Sequence, residues 1–205
     1  MTGPLIYRNI AQGTPEWHAV RAGKWSASKA AITMGGLDTK GIGDLVKTVA
    51  WERTYGPIAG GYKSPAMIEG TEREPEARDW YCFARGIAIE EVGFVAHATI
   101  PYVGWSPDGI SERHGIEIKN PQHLAYMEVN RTKKIPAEYR WQTRWAMWVG
   151  ELDSLDFIVY HPQAGGIIIP AEVTESEKQQ MEERVEALER RVAEEISLLI
   201  NKDAA

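Results

Sequence analysis

Residues 115–119, Gly-Ile-Glu-Ile-Lys, alternate polar and apolar side chains without a break. Such a run reads as a β-strand, because successive strand side chains point to opposite faces. Ile116 and Ile118 then share one face, and Glu117 and Lys119 share the other. A carboxylate and an ammonium are thereby held side by side at fixed spacing. Just upstream, Ser106-Pro107-Asp108-Gly109 reads as a turn, since Pro presets φ and Gly accepts positive φ. It sets a second carboxylate, Asp108, on the adjoining turn or strand. Two hard oxygen ligands beside a lysine suit Mg²⁺ and an activated water. The same alternation also fits a plain solvated hairpin face, so the remaining segments must decide between the two.

The 205 residues suit one domain with a sizeable core, and a single domain over 1–205 is expected, with 172–201 as a C-terminal amphipathic helix. A hydrophobic content of 43% with 25% charged residues is ordinary for a soluble globular chain. No apolar run reaches the roughly 18–20 residues of a membrane helix. Met1-Thr2-Gly3-Pro4-Leu5 lacks the basic start and apolar core of a signal peptide. Cys82 stands alone, which excludes an intrachain disulfide and a cysteine-rich zinc site. A reducing, cytoplasmic setting follows. The net charge is −6, of which −5 falls from Ala171 onward. That balance argues against a broad DNA-coating surface but leaves room for a narrow channel of local positive potential.

The chain shows no internal repeat or linker. Thr14-Pro15-Glu16 reads as an N-cap followed by Pro at the first helical position, opening a short helix through Trp17, Val20 and Arg21. Ser26-Ala27-Ser28 opens a second helix ending near Gly35-Gly36, and 44–55 reads as a third, stopped by Gly56-Pro57. Residues 60–64 read as a mobile loop. A long helix covers 66–85, with Pro75 starting a new turn or kinking it. Strands follow at 88–96, 100–105 and 115–119, helices at 121–130 and 137–149, and strands at 155–160 and 166–169. The tail helix starts at Thr174, with a capping box to Glu177. Met181, Val185, Leu188, Val192, Ile196 and Leu199 form one apolar stripe along it, fit to pack on its own core or on a neighbouring subunit. The order predicts an α/β (α+β) fold, a central mixed sheet flanked by helices.

Three segments add chemistry. Arg21, ahead of a helix beginning near Ser26, offers a forked donor to a phosphate beside free helical N–H groups, and Ser28 adds a hydroxyl. Glu69 and Glu74 sit on the helix before the strands, and a carboxylate from a separate helix can complete an oxygen shell. In 139–148, Trp141, Trp145 and Trp148 mark one helical face, read as core with base stacking as the alternative. Gln142 projects elsewhere, toward the lysine or the attacking water.

An aspartate, a short spacer and then Glu-x-Lys is the pattern of the PD-(D/E)xK nuclease superfamily. Five ordered motifs narrow the resemblance: Arg21-(x)4-Ser26-Ala27-Ser28, Gly70-x-x-x-Glu74-Pro75, Ser106-Pro107-Asp108-Gly109, Glu117-Ile118-Lys119-x-Pro121 and Gln142-x-x-x-Ala146-Met147-Trp148-Val149. From Gln12 to Pro162 the chain resembles the lambda exonuclease family, the YqaJ-type viral recombinase nucleases of phages and prophages. The resemblance implies a restriction-endonuclease-like fold and a Mg²⁺-dependent nuclease, with Mn²⁺ as substitute. It implies a 5′-to-3′ exonuclease on duplex DNA ends that releases mononucleotides. The remaining 3′ single strand would pass to a partner annealing recombinase. A homotrimer ring in the bacterial host cytoplasm, with no membrane association, is implied as well. By motif, Asp108, Glu117, the backbone carbonyl of Ile118 and Glu74 would hold metal. Lys119 would position or deprotonate the water, Gln142 would support both, and Arg21 with Ser28 would hold the 5′ phosphate. The chain departs from the family pattern at Ser26 (more commonly Thr), Asn120 (Cys in many relatives) and Arg144 (in place of a second Gln). A structure-specific, junction-resolvase-like endonuclease and a non-catalytic DNA-end-binding scaffold are the alternatives.

Overall fold

The strand read from 115–119 is the centre of one of two four-stranded sheets in the computed structural model, which describes residues 3–58 and 65–201. It is β6 (His114–Lys119) in chain order. It pairs antiparallel with β5 (Gly109–Ser111) and parallel with β7 (Ser154–His161), and β7 pairs antiparallel with β8 (Gly165–Ala171). A parallel neighbour needs a crossover, here α5 (His123–Thr132) and α6 (Arg140–Val149). Helices cover both faces of this sheet, so β7 buries Leu155, Phe157, Ile158, Val159 and Tyr160 in succession. α4 (Pro65–Arg85) lays Ala77 and Tyr81 on Ile116, Ile118, Ile158 and Tyr160. α5 lays Val129 on Phe157, Val159, Ile167 and Ile169.

The second sheet has the order β1-β3-β4-β2: Leu5–Tyr7, Phe94–Ala96, Val103–Trp105 and Trp25–Ser26. The expected strand over 88–96 shrinks to β3 plus an isolated bridge between Glu90 and Ile110. β1, β2 and β5 lie outside the sequence reading, because two or three residues carry too little alternation to be seen. The hairpin turn falls at Glu112-Arg113, downstream of the expected Ser-Pro-Asp-Gly turn. Glu112 takes φ +51° there without a glycine to announce it. At Gly104 a Cβ would run into the Phe94 ring, so only glycine lets β3 and β4 close.

The helices mostly fall where expected. Thr14 caps α1 (Pro15–Arg21). The second helix is only a 3-10 turn, Ala27–Lys29, running into α2 (Ala30–Thr33). α3 (Lys40–Tyr55) starts ahead of Asp44 because Thr39 accepts from the Ile42 N–H and caps it. α4 continues through Pro75. The expected loop at 60–64 lies outside the described residues. α7 (Glu175–Ile200) carries the predicted capping box between Thr174 and Glu177. Its stripe packs on its own chain: Met181, Val185, Leu188 and Val192 are buried in the main core with Val46, Val49, Trp145 and Val149. Each such burial stabilises by about 1.5–3 kcal/mol before entropy is counted. Glu189 locks the helix further, accepting from the Trp25 indole at 2.6 Å and from both Arg53 terminal nitrogens at 2.7 and 2.8 Å. Among the described residues no helix is long and apolar enough to cross a membrane.

Candidate active site

The end of β6 gathers the predicted polar groups. Glu117 is 2% exposed, on the strand face turned toward α6 while Ile116 and Ile118 face α4. Lys119 Nζ donates to Glu117 Oε1 at 2.6 Å, and Gln142 Nε2, from α6, donates to the same oxygen. The Lys119 ammonium also stands 5.2 Å from the Tyr139 ring centre. Asp108 Oδ2 accepts from the Ile118 N–H at 2.6 Å. The β5–β6 ladder runs from Ser111↔His114 to Gly109↔Ile116. Continued, it would set Pro107 opposite Ile118, but Pro has no N–H to give. The ladder halts there. The N–H of Ile118 goes to Asp108, and its carbonyl, which points to the same side of the strand, is not claimed by β5.

Glu74 comes from α4, with its carboxyl close enough to feel the others. Burial, then Asp108, push it up to about 7, with Lys119 and Arg78 pulling the other way. Burial likewise pushes Glu117 up to about 7 against the pull of Lys119, and raises Asp108. Burial alone would lower Lys119, but Glu117 and Asp108 outweigh it and hold the ammonium well above its ordinary value. Lys119 in this arrangement is a cation and donor.

A divalent ion would meet these groups at the end of β6. Among the described residues no three His, Cys, Asp or Glu side chains stand close enough to form a ready-made cage. Mg²⁺ does not need one, since it keeps several waters and takes one or two carboxylates. Glu117 Oε2 is buried without a full hydrogen bond, the Trp105 indole being the one donor near enough to act on the carboxyl. A carboxylate oxygen so poorly satisfied, three carboxyls held above their ordinary values and a carbonyl that β5 does not claim are a set that a hard cation relieves, so the residues fit. Glu69 takes no part, being paired with Arg73 on its own helix.

The residues expected to hold a 5′ phosphate lie together. Arg21 lies with its guanidinium 3.9 Å from the Trp17 ring centre and donates to Ser28 Oγ at 3.4 Å, and Ser28 Oγ lies 3.2 Å from Ser26 Oγ. Arg21 makes no ion pair among the described residues. The expected helix-end contribution is small, because Ser26 opens only a 3-10 turn; the pocket rests on the guanidinium and two hydroxyls.

Several side chains around the site were not anticipated. Arg78, four residues after Glu74 on α4, donates to the Asp108 carbonyl and to Glu91, both at 2.8 Å. Gln12 donates to Pro107 O at 2.7 Å and Val92 O at 3.0 Å. Trp17 Nε1 donates to Gly93 O at 2.9 Å and Ser106 Oγ at 3.2 Å. The i, i+4 spacing of Glu74 and Arg78 was a readable signal for the first; nothing local marks the other two. Asn120 donates to Gly70 O at 2.8 Å, tying the end of β6 to α4 beside the rung that Pro75 cannot fill. Arg144 turns away from Glu117 to Glu177, at 2.8 Å.

The YqaJ-like viral recombinase domain model matches residues 16–153, more than half of the chain. The chain belongs to the YqaJ-like viral recombinase family. A solved relative in structure is an alkaline exonuclease (LHK-Exo) from Laribacter hongkongensis. It is 29% identical with TM-score 0.84, over 93% of this chain and 98% of that one. Its complex with dAMP aligns at 30% identity and TM-score 0.85 over the same shares. A phage related exonuclease from Haemophilus somnus 129PT, at 15% identity and TM-score 0.66 over 86% of this chain and 96% of that one, shares the fold. No curated protein matches the chain. Fold and family together make this YqaJ-like protein a nuclease on a restriction-endonuclease-like scaffold.

Proposed function

We propose that the chain is a divalent-metal-dependent 5′-to-3′ exonuclease of duplex DNA ends. It digests the 5′-ended strand to mononucleotides and leaves a 3′ single strand for an annealing recombinase. The observation that carries this reading is the pairing of two sites: the Asp108, Glu117 and Lys119 cluster, and the Arg21–Ser28 anion pocket joined to it through Trp17 and Ser106. A hydrolytic centre beside a guanidinium and two hydroxyls that suit a phosphate fits removal of the terminal nucleotide. The related alkaline exonuclease captured with dAMP, a deoxynucleoside monophosphate, is in keeping with that product.

Asp108, Glu117, Glu74 and the Ile118 carbonyl would hold Mg²⁺, or Mn²⁺ in its place. The ion supplies neutralisation of the scissile phosphate and a water acidic enough to attack near neutral pH. The chain's own residues do the rest. Lys119, charged and held beside Glu117, orients the attacking water and stabilises charge on the phosphate. Gln142 fixes the Glu117 carboxylate from α6. Arg21 and Ser28 bind the 5′ phosphate, so the end is positioned before chemistry. The 205 residues act as one nuclease domain, C-terminal helix included. Three copies forming a ring in the bacterial cytoplasm would make digestion processive by topology, which reconciles the net charge of −6 with a DNA substrate.

End-labelled linear duplex incubated with the protein and Mg²⁺ tests the reading: 5′-labelled mononucleotides are expected. Label released only from 3′ ends, or cutting of closed circles, would reject it. Arg21→Ala is expected to weaken the preference for 5′-phosphorylated ends through KM.

A further inference from the structure

Three consecutive residues of the segment that carries Asp108 into β5 are held by side chains from elsewhere. Trp17 Nε1 holds Ser106 Oγ, Gln12 Nε2 holds Pro107 O, and Arg78 Nε holds Asp108 O. Two of these, Gln12 and Trp17, come from the segment that also carries Arg21. Trp17 does two things at once. One face of its ring seats the Arg21 guanidinium at 3.9 Å, while its N–H is shared between Ser106 Oγ and Gly93 O. The indole is half-buried, and neither of its polar contacts, Gly93 O and Ser106 Oγ, is among the groups assigned to substrate or ion.

We propose that Trp17 is a positioning residue that fixes the distance between the anion pocket and the segment carrying Asp108, so that a seated 5′ phosphate brings the first phosphodiester into register with the hydrolytic groups. The inference rests on the function proposed above. The seat for Arg21 is the ring and the tether to that segment is the N–H, so the two roles separate chemically. Trp17→Phe keeps an aromatic surface under Arg21 and removes the donor. Ser106→Ala removes one acceptor of the same donor and leaves the ring untouched.

The test compares 5′-phosphorylated with 5′-hydroxyl duplex for the full-length protein. In Trp17→Phe the kcat preference for phosphorylated ends should fall about tenfold, the order expected for a misplacement of under 1 Å. KM and equilibrium binding of the phosphorylated duplex in EDTA should stay within about twofold, because Arg21 keeps its seat. Ser106→Ala should move the same ratio in the same direction. The double variant should be no worse than Trp17→Phe alone, since both break one link. A residue that merely supports the fold would slow both kinds of end by one factor and leave the ratio alone; that result overturns the proposal. So does a loss confined to KM. If Trp17→Phe fails to fold, Ser106→Ala carries the same two outcomes. A wild-type protein that ignores the 5′ phosphate overturns the anion-pocket reading and this proposal together. A wild type that prefers phosphate beside variants with an unchanged ratio overturns the coupling alone.

Discussion

The two ends of β6 each bury a small group of ionisable side chains, and they treat them in opposite ways. At the His114 end a chain of hydrogen bonds runs unbroken from side chain to side chain. Ser154 Oγ meets His114 Nδ1 at 2.7 Å, His114 Nε2 meets the Tyr81 hydroxyl at 2.8 Å, and Tyr81 donates to Asp156 Oδ2 at 2.7 Å. Arg85 completes the set at 2.9 Å. Burial, then Asp156, raise the Tyr81 hydroxyl and keep it a donor, and burial lowers His114. At the Lys119 end the account stays open. Trp105 Nε1, Glu117 Oε2 and Asn120 Oδ1 are the buried side-chain polar atoms left without a full hydrogen bond among the described residues; Glu117 and Asn120 sit at this end of β6, and the Trp105 indole lies beside Glu117. Native proteins satisfy buried polar groups almost everywhere, so the contrast is local and real. One end of the strand is closed by its own hydrogen bonds; the other keeps a carboxylate oxygen and an amide oxygen poorly satisfied.

Substitutions can break that contrast. Lys119→Ala should cut turnover on linear duplex by about 10²–10⁴-fold, the range for losing a positioned proton-handling or charge-stabilising group. DNA binding in EDTA should persist, and near-normal turnover would remove Lys119 from the chemistry. Asp156→Ala, at the opposite end, takes one partner from the buried Tyr81 hydroxyl, which keeps His114, and releases the half-exposed Arg85 guanidinium. It should cost about 1–2 kcal/mol in urea unfolding, while the variant, kept well below its melting temperature, stays active. Loss of rate in a folded Asp156→Ala protein would make the His114 end functional after all.

The effect of pH sharpens the comparison. Glu74 and Glu117 ordinarily ionise near 4.5, and burial moves both to about 7 in the fold. Between those values the folded chain keeps protons that the unfolded chain has released. Without metal, this pair's contribution to stability therefore declines as pH rises from about 4.5 to 7 and is level above that. Metal binding must expel the same protons, so Mg²⁺ should raise the melting temperature more at pH 8.5 than at pH 6. An equal shift at both pH values would mean that these carboxyls do not meet the ion. The smallest effect is expected for Arg144→Gln, which brings back the second family Gln. It gives up the Glu177 contact, worth about 1 kcal/mol or less, and should leave the rate within about twofold because Arg144 does not touch Glu117.

Much of this was legible from residue order. The long helices and β6, β7 and β8 announce themselves through periodicity, and Thr174 with Glu177 reads as a capping box and is one. Glu117, Lys119 and Gln142 could be placed because a six-residue strand and a ten-residue helix fix where side chains go, and Asp108 because it leads directly into the partner strand. The short strands were not found, since pairing across the fold decides them rather than local pattern. Gln12 and Trp17 escaped for a related reason: their partners lie more than 75 residues away in the chain. Ser106 and Pro107 gave no sign that they would be tethered from so far. Asn120 and Arg144, departures from the family pattern, proved to be structural ties to α4 and α7, which no single sequence discloses.

The proline opposite Ile118 acts as a doorstop as well as a gap. A hairpin of two short strands has little to prevent it from creeping along its own axis. If β5 slid two residues along β6, Pro107 would be drawn inside the ladder opposite Ile116, where a ring without a donor is rejected. A one-residue creep would turn over the side chains of β5 and carry Asp108 away from β6's end, while β7 holds Glu117 where it is. The hairpin is thereby barred from sliding inward out of the alignment in which the aspartate, the glutamate and the lysine meet, and the stop sits one residue from the chemistry it protects.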